Sequence, residues 1–244
     1  MPDIIELKNV TYEVQDKTLV HDISCLFEEG KTTALIGPSG CGKSTALKLA
    51  AGLFPPSEGS VFFREKDLFR MSRAENLEFR RIAAVVFKDS ALWSNQNLYQ
   101  NLELPLRVHF PDMAKKDRDN RIYKVAADVG YKRDLGIRPS ELSMGEQKLL
   151  GFARALICNP RLLYLDEWTE SLDESASQRL IGMVKKMKED GVTVILISHD
   201  IRILNELVDV AVMLADGQVS LRLTREQFAG NAALRHYIEE GMAS

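Results

Sequence analysis

The sequence of 244 residues predicts an α/β fold with a mostly parallel sheet, and three observations support this prediction. Apolar runs of strand length lie at 82–87, 162–165 and 192–197. Between the last two, residues 174–188 have the apolar spacing of an amphipathic helix, and strand–helix–strand at this distance is typical of parallel strands. A further strand-like run, 31–36, leads into a glycine cluster and then into a helical pattern.

The N-terminal part predicts a separate antiparallel β subdomain. Residues 5–14 and 18–27 alternate partly between apolar and polar side chains, with a short polar turn between them. After the glycine cluster, 45–53 has helical apolar spacing. Residues 55–59 hold two prolines and a glycine, which break the chain before a strand at 60–64.

The middle of the chain predicts a helical insertion. Residues 95–158 are rich in helix formers and show no convincing strand pattern. Towards the C-terminus, strands are expected at 208–214 and 218–223, joined by a turn at Asp216-Gly217. We therefore expect a single domain over the whole chain, 1–244, with 95–158 as a helical subdomain inserted in it.

Composition excludes several classes of protein. Lysine and arginine number 32 against 35 acidic residues, which gives a net charge of −3. The chain therefore lacks the excess of basic residues that is typical of proteins that bind nucleic acid. No apolar run approaches the roughly 18 residues that suggest a membrane span. The N-terminus does not resemble a secretory signal. The cysteines Cys25, Cys41 and Cys158 lie far apart and form no metal-binding pattern. These features predict a cytosolic protein.

The strongest chemical signal is the phosphate-binding loop at 37–45, which matches G-x-x-x-x-G-K-[ST] in full. It lies between a predicted strand and a predicted helix, where backbone N–H groups and the positive helix terminus bind phosphate. The Lys43 ammonium suits the β- and γ-phosphates, and the Ser44 hydroxyl suits Mg²⁺. The candidate nucleotide-binding residues of this loop are Gly37, Ser39, Gly40, Cys41, Gly42, Lys43, Ser44 and Thr45.

A second signal is the apolar strand 162–165, which ends in Asp166 and Glu167. Alone, such a pair could equally cap a helix. With the phosphate loop upstream, Asp166 becomes a candidate to hold Mg²⁺ together with Ser44, and Glu167 a candidate general base for the attacking water.

A third signal narrows the class of nucleotide enzyme. Residues 142–147, Leu-Ser-Met-Gly-Glu-Gln, precede an apolar helix, and with the two signals above they make nearly the whole chain resemble the ATP-binding-cassette (ABC) ATPases, whose signature is LSGGQ. The resemblance implies a P-loop NTPase core of the ABC type, with ATP and Mg²⁺ as cofactors. Ser143 and Gly145 match positions that in the family contact the γ-phosphate of ATP held by the other subunit. Met144 and Glu146 depart at variable positions.

The resemblance implies roles for three further residues. Tyr12 is similar to the aromatic residue that stacks on adenine, although by itself a tyrosine here suggests ordinary sheet packing. Asp173, in Ser171-Leu172-Asp173, resembles part of the loop that crosses the dimer interface. His199 resembles the family's catalytic switch histidine at the γ-phosphate; without the family context a lone histidine after a strand indicates little.

Two residues depart from the family pattern. Where the family usually has a Mg²⁺-binding glutamine, this chain has Lys88, which cannot coordinate a cation because an ammonium has no lone pair. We expect Lys88 to turn towards a phosphate oxygen or a carboxylate, on a partner or a neighbouring loop. Where the family usually has proline after the Asp-Glu pair, this chain has Trp168, which should alter the stiffness of that turn.

The resemblance also implies partners and a location. Each subunit of the family carries half of each active site, so a second copy is expected to bind head-to-tail around two ATP molecules. The helical insertion would bind an integral membrane permease, which places the chain on the cytoplasmic face of the inner membrane.

The substrate is the least determined property. Residues 87–93 and 101–107 resemble Mla-type ATPases, which drive phospholipid trafficking with an MCE-type lipid-binding protein, but related importers share parts of these segments. Two alternatives stay open: a soluble ABC ATPase of the iron–sulfur assembly type, and a weakly hydrolysing ATP-binding regulator, suggested by Lys88 and Trp168.

Overall fold

The computed structural model describes residues 3–231. Its strands are β1 (Asp3–Val14), β2 (Lys17–Glu28), β3 (Thr32–Ile36), β4 (Glu58–Phe63), β5 (Lys66–Asp67), β6 (Ala83–Val86), β7 (Leu162–Asp166), β8 (Thr193–Ile197), β9 (Val210–Ala215) and β10 (Gln218–Thr224). Its α-helices are α1 (Lys43–Ala50), α2 (Arg73–Ile82), α3 (Leu98–His109), α4 (Lys115–Asp128), α5 (Met144–Leu156), α6 (Glu174–Glu189), α7 (Ile201–Leu207) and α8 (Arg225–Gly230).

The larger sheet has the strand order β10-β9-β3-β8-β7-β6. Strands β9, β3, β8, β7 and β6 run parallel, and β10 pairs antiparallel with β9. The predicted mostly parallel α/β fold is therefore confirmed. Because parallel strands end at the same edge, the loops that follow β3, β6, β7 and β8 meet there, as is usual for ligand sites in such sheets.

The smaller sheet is antiparallel, with the order β2-β1-β4-β5, and confirms the predicted N-terminal β subdomain. Helix α1 joins the two sheets through one core, in which Leu47 and Leu49 cluster with Ile5 of β1 and Tyr164 of β7. The helix behind the phosphate loop is thus fixed from both sides.

Residues 95–158 contain α3, α4 and α5 and, as the structure describes them, no strand. Their buried side chains, such as Leu102, Ile122 and Leu150, join the core on the other face of the large sheet. That this stretch is an inserted subdomain stays a prediction.

Some elements of the fold differ from the sequence prediction. The continuous apolar run 82–87 predicts a strand buried on both faces, but β6 is an edge strand and its residues 83–85 are only half-buried. Helix α2 was not predicted, because Phe79 is its single buried residue and the helix shows no broad apolar stripe. The short helices α7 and α8 were also missed. Within residues 3–231, none of the helices combines the length and apolar content that crossing a bilayer requires.

Candidate functional site

The phosphate-binding loop connects β3 to α1 in a conformation that requires glycine. Gly37, Gly40 and Gly42 have φ values of 141°, 79° and 98°, which side chains rarely adopt. A Cβ atom on Gly37 would overlap the carbonyl oxygen of Leu214, and one on Gly42 would lie 2.6 Å from the carbonyl oxygen of Leu19. Around Gly40 there is open space. The loop is therefore packed on its inner side and open on the side where a phosphate would enter.

Lys43 lies inside this loop and is only 6% exposed. Its Nζ donates to the carbonyl oxygens of Gly37 at 2.8 Å and Pro38 at 2.7 Å. A buried ammonium is costly to desolvate, and uncharged carbonyls offset that cost only in part. The residues present therefore fit an anionic ligand such as a polyphosphate.

Ser44, at the start of α1, and Asp166, at the end of β7, place a hydroxyl and a carboxylate oxygen next to each other. Ser44 Oγ donates to Asp166 Oδ1 at 3.0 Å, and Asp166 is 3% exposed at the end of β7. Burial raises the pKa of Asp166, while the hydrogen bond from Ser44 opposes the rise. A hydroxyl and a carboxylate are the hard oxygen ligands that Mg²⁺ takes alongside substrate phosphates, so the pair fits that ion.

Glu167 follows Asp166 with a left-handed backbone, φ 44°. Its Oε2 accepts a hydrogen bond from Lys88 Nζ at 2.6 Å, and its Oε1 lies 3.4 Å from His199 Nε2. Burial favours a higher pKa for Glu167, but the hydrogen bond and charge of Lys88 and the charge of His199 outweigh burial and lower that pKa. The carboxylate is therefore ionised, as a general base must be.

Lys88 is bound by carboxylates. Besides Glu167, its Nζ lies 3.3 Å from Glu170 Oε2, and the hydrogen bond to Glu167 raises the pKa of Lys88. This matches one of the arrangements expected from the sequence, a carboxylate on a neighbouring loop.

Sequence reasoning missed Lys148 of α5, which supports the same turn. Its Nζ donates to the carbonyl oxygen of Glu167 at 2.9 Å, and the residue is 3% exposed. Burial lowers the pKa of Lys148. The available signal was the single lysine of α5, which directly precedes Leu149 and Leu150.

Trp168 fixes the turn from inside the core. Its side chain is completely buried and stacks on Phe152 of α5, with ring centroids 5.6 Å apart at 20°. The residue that departs from the family's proline therefore restrains the turn by packing, in place of the restricted φ that proline supplies.

Helix α5 also holds the loop that carries Lys88. Arg154 donates to the carbonyl oxygens of Ala91 at 2.7 Å and Ser90 at 3.0 Å, and its guanidinium lies 4.9 Å from the Trp93 ring centroid. A Cβ atom on Gly151 would lie 3.0 Å from the Ser90 carbonyl oxygen, so the loop packs directly on the helix. One helix thus binds both loops that meet at Glu167.

Tyr12 belongs to an aromatic pair beside α1. Its ring stacks on Phe54 with centroids 5.5 Å apart and planes 7° apart, and Lys48 Nζ lies 6.0 Å from the Phe54 centroid. Phe54 lies in the loop between α1 and β4, so this contact joins β1 to that loop. Its role in binding adenine stays a prediction.

The remaining predicted residues form a second group. Ser143, Gly145 and Asp173 line one open cavity of about 430 Å³ next to Met144, whose side chain is 70% exposed. Ser143 also caps α5, since its Oγ accepts from the Glu146 N–H at 3.2 Å. Among residues 3–231, no hydrogen bond or ion pair joins this group to the phosphate-binding loop. No polar contact therefore connects the two groups within the described part of the chain.

Comparisons with known proteins agree with this geometry. The family model described as ABC transporter matches residues 20–170. The chain is 31% identical to the intermembrane phospholipid transport system ATP-binding protein MlaF of Haemophilus influenzae, over 96% of this chain and 88% of that protein. It is 30% identical to the methionine import ATP-binding protein MetN of Campylobacter jejuni, over 88% of this chain and 69% of that protein.

Solved structures show the same architecture. The dimeric ATP-binding cassette MJ0796, in a post-hydrolysis state with ADP and Pi, superposes with a TM-score of 0.84 at 29% identity. The match covers 91% of this chain and 99% of that one.

Proposed function

Since this chain belongs to the ABC transporter family and is an ATP-hydrolysing, nucleotide-binding subunit of a transporter, we propose that it drives phospholipid trafficking through a membrane permease. The observation that carries the nucleotide half of this proposal is the buried Lys43 ammonium inside a loop open to phosphate. The substrate half is supported by the similarity to MlaF over 96% of the chain.

Each site residue has a part in this proposal. The loop from Gly37 to Thr45 binds the phosphates through its N–H groups, with Lys43 on the β- and γ-phosphates. Ser44 and Asp166 would hold Mg²⁺, which would neutralise charge on the phosphate oxygens when bound. Glu167 accepts the proton of the attacking water, His199 faces the γ-phosphate, and Tyr12 stacks on adenine.

A second copy of the chain completes the site. Ser143, Gly145 and Asp173 make no hydrogen bond or ion pair to the phosphate loop of their own chain in the described residues, and we propose that they act on ATP held by the partner. The dimeric form of the similar cassette MJ0796 supports a head-to-tail homodimer. We further propose that this dimer lies on the cytoplasmic face of the inner membrane, bound to its permease and working with an MCE-type lipid-binding protein.

Methionine import is the second candidate, because MetN proteins are also similar over 88% of the chain. Two segments favour phospholipid: 87–93, which holds Lys88 and Trp93, and 101–107 in α3, both of which resemble Mla-type ATPases.

Reconstitution tests the substrate. The permease that co-purifies with the chain is placed in vesicles, and ATP-driven transfer of fluorescent phospholipid is measured beside uptake of labelled methionine. We expect lipid transfer that is lost with Lys43→Ala. Methionine uptake without lipid transfer would replace the phospholipid proposal. Co-purification of a soluble scaffold instead would favour the iron–sulfur assembly type, and isolation without any partner would favour a regulator.

A further inference from the structure

Lys88 holds the carboxylate that the proposed mechanism needs free. Its Nζ lies 2.6 Å from Glu167 Oε2 and 3.3 Å from Glu170 Oε2. Lys88 is 55% exposed along its side chain and Glu170 is 52% exposed, whereas Glu167 is 17% exposed. The ammonium therefore contacts the inner carboxylate from the solvent side, between Glu167 and the space outside it.

This ion pair lies beside the phosphate-binding loop. Glu167 directly follows Asp166, and Asp166 accepts a hydrogen bond from Ser44 at 3.0 Å. The charge of Lys88 is close enough to lower the pKa of Asp166, against the larger effect of burial. A lysine has a flexible four-carbon side chain, so this ammonium can turn away from Glu167 without a change in the backbone.

Two lysines near the proposed nucleotide site are thus bound to protein oxygens. Lys43 donates to the carbonyl oxygens of Gly37 and Pro38, and Lys88 pairs with two glutamates. Lys43 is expected to exchange its carbonyls for phosphate when a nucleotide binds. The terminal phosphate of ATP carries more negative charge than one carboxylate, so it attracts the Lys88 ammonium more strongly than Glu167 does. The half-exposed Glu170 adds little to the attraction that holds Lys88 at Glu167, because exposed ion pairs are weak.

The backbone around this pair is already fixed, so an exchange requires only side-chain rotation. Lys148 donates to the Glu167 carbonyl oxygen at 2.9 Å, and Arg154 donates to the carbonyl oxygens of Ser90 and Ala91. Both donors belong to α5, so one helix holds the backbone of both loops in place.

We propose that Lys88 distinguishes ATP from ADP by exchanging partners: without nucleotide it binds Glu167 and Glu170, and with ATP it turns to the γ-phosphate and releases Glu167 for the attacking water. This inference rests on the proposed ATPase function. It gives Lys88 a binding role that the family's glutamine could not have in the same form, because a glutamine amide carries no charge.

Calorimetric binding of AMP-PNP and of ADP, each with Mg²⁺, tests the exchange at protein concentrations where light scattering shows a monomer. We expect Lys88→Met to weaken AMP-PNP binding about threefold to tenfold, because one charged contact replaces another and the net gain is modest. ADP affinity should change less than twofold. Glu170→Gln should strengthen AMP-PNP binding by no more than about twofold, because the exposed contact that Lys88 gives up is weak.

The matched control is Lys66→Met, which removes a lysine that pairs with Glu75 at the same distance of 2.6 Å outside the site. It should leave both affinities unchanged. Lys88→Gln serves as a second charge-free variant if Lys88→Met folds poorly, and Lys88→Arg should keep the preference for AMP-PNP. Equal loss of both nucleotides, or no loss, would overturn the exchange alone. Failure of the unmodified chain to bind either nucleotide would overturn the proposed function itself.

Discussion

Glu167 is the proposed general base. One of its carboxylate oxygens accepts a hydrogen bond from Lys88, and the other lies near His199. Replacing Glu167 with glutamine keeps the shape and removes the base. We expect Glu167→Gln to retain ATP binding and to lower hydrolysis about 10²- to 10⁴-fold, the usual contribution of a positioned base. Phosphate release measures the loss, and size-exclusion chromatography should show a dimer trapped with ATP.

The control for this variant is Glu174→Gln on α6, where the carboxylate is 63% exposed and pairs with Arg202 at 2.7 Å. Its hydrolysis should stay within twofold of the unmodified chain. Turnover of Glu167→Gln at the unmodified rate would show that another group accepts the proton.

The position of Lys88 predicts how the ATPase activity of its variants depends on the Mg²⁺ concentration. An ammonium cannot coordinate a metal, and here it lies on Glu167 and Glu170. Lys88→Ala should therefore leave the Mg²⁺ concentration for half-maximal ATPase activity nearly unchanged, while coupling to the permease weakens. Lys88→Gln should lower that concentration if the amide reaches the metal. A large rise in the Mg²⁺ requirement of Lys88→Ala would contradict this assignment.

At the scale of elements, α5 contacts both loops at Glu167, and its Phe152 stacks on Trp168 in the turn after β7. Trp168→Ala should lower the free energy of unfolding by about 3–5 kcal/mol, because it removes a completely buried ring that stacks on Phe152. Urea unfolding measures this loss. Trp168→Phe should recover much of it, since the ring stays and the buried indole N–H, which has no partner among residues 3–231, is removed.

Trp93→Ala is the matched control for this prediction. Trp93 is 42% exposed and lies under Arg154, so its loss should cost only about 1 kcal/mol. Equal costs at the two tryptophans would show that Trp168 does not anchor the turn.

At the scale of the whole molecule, the separation of the two groups of site residues predicts a shared active site. A Lys43→Ala chain keeps Ser143, Gly145 and Asp173 intact. A Gly145→Asp chain keeps its phosphate-binding loop intact. A Cβ atom on Gly145 would lie 3.1 Å from the Ser171 carbonyl oxygen, and the added carboxylate repels phosphate.

Each variant alone should be inactive. An equal mixture should recover about a quarter of the unmodified ATPase activity, because half of the dimers are mixed and each then has one intact site of two. Recovery is measured by phosphate release after the chains exchange. No recovery would mean that each chain completes its own site.

The sequence by itself determined the local elements of this protein. The motif at 37–45 predicted the strand–loop–helix around Lys43, and the structure shows that connection between β3 and α1. The apolar spacing of 174–188 predicted α6, which spans Glu174–Glu189. Such features depend on neighbours in sequence, where periodicity and glycine placement act directly. Helix α2 buries only Phe79, and the sequence signal for it is the capping box that Ser72 and Glu75 form at its start, not an apolar stripe.

Only the tertiary structure decided which of these elements touch. Lys88 and Glu167 are 79 residues apart, and they meet because β6 lies beside β7 in the sheet and both loops leave the same edge. Lys148 reaches the Glu167 carbonyl because α5 packs across that edge. The separation of Ser143 from the phosphate loop was implied only by the family resemblance. Strand order and helix packing arise from burial summed over the whole core, so no local pattern specifies these contacts.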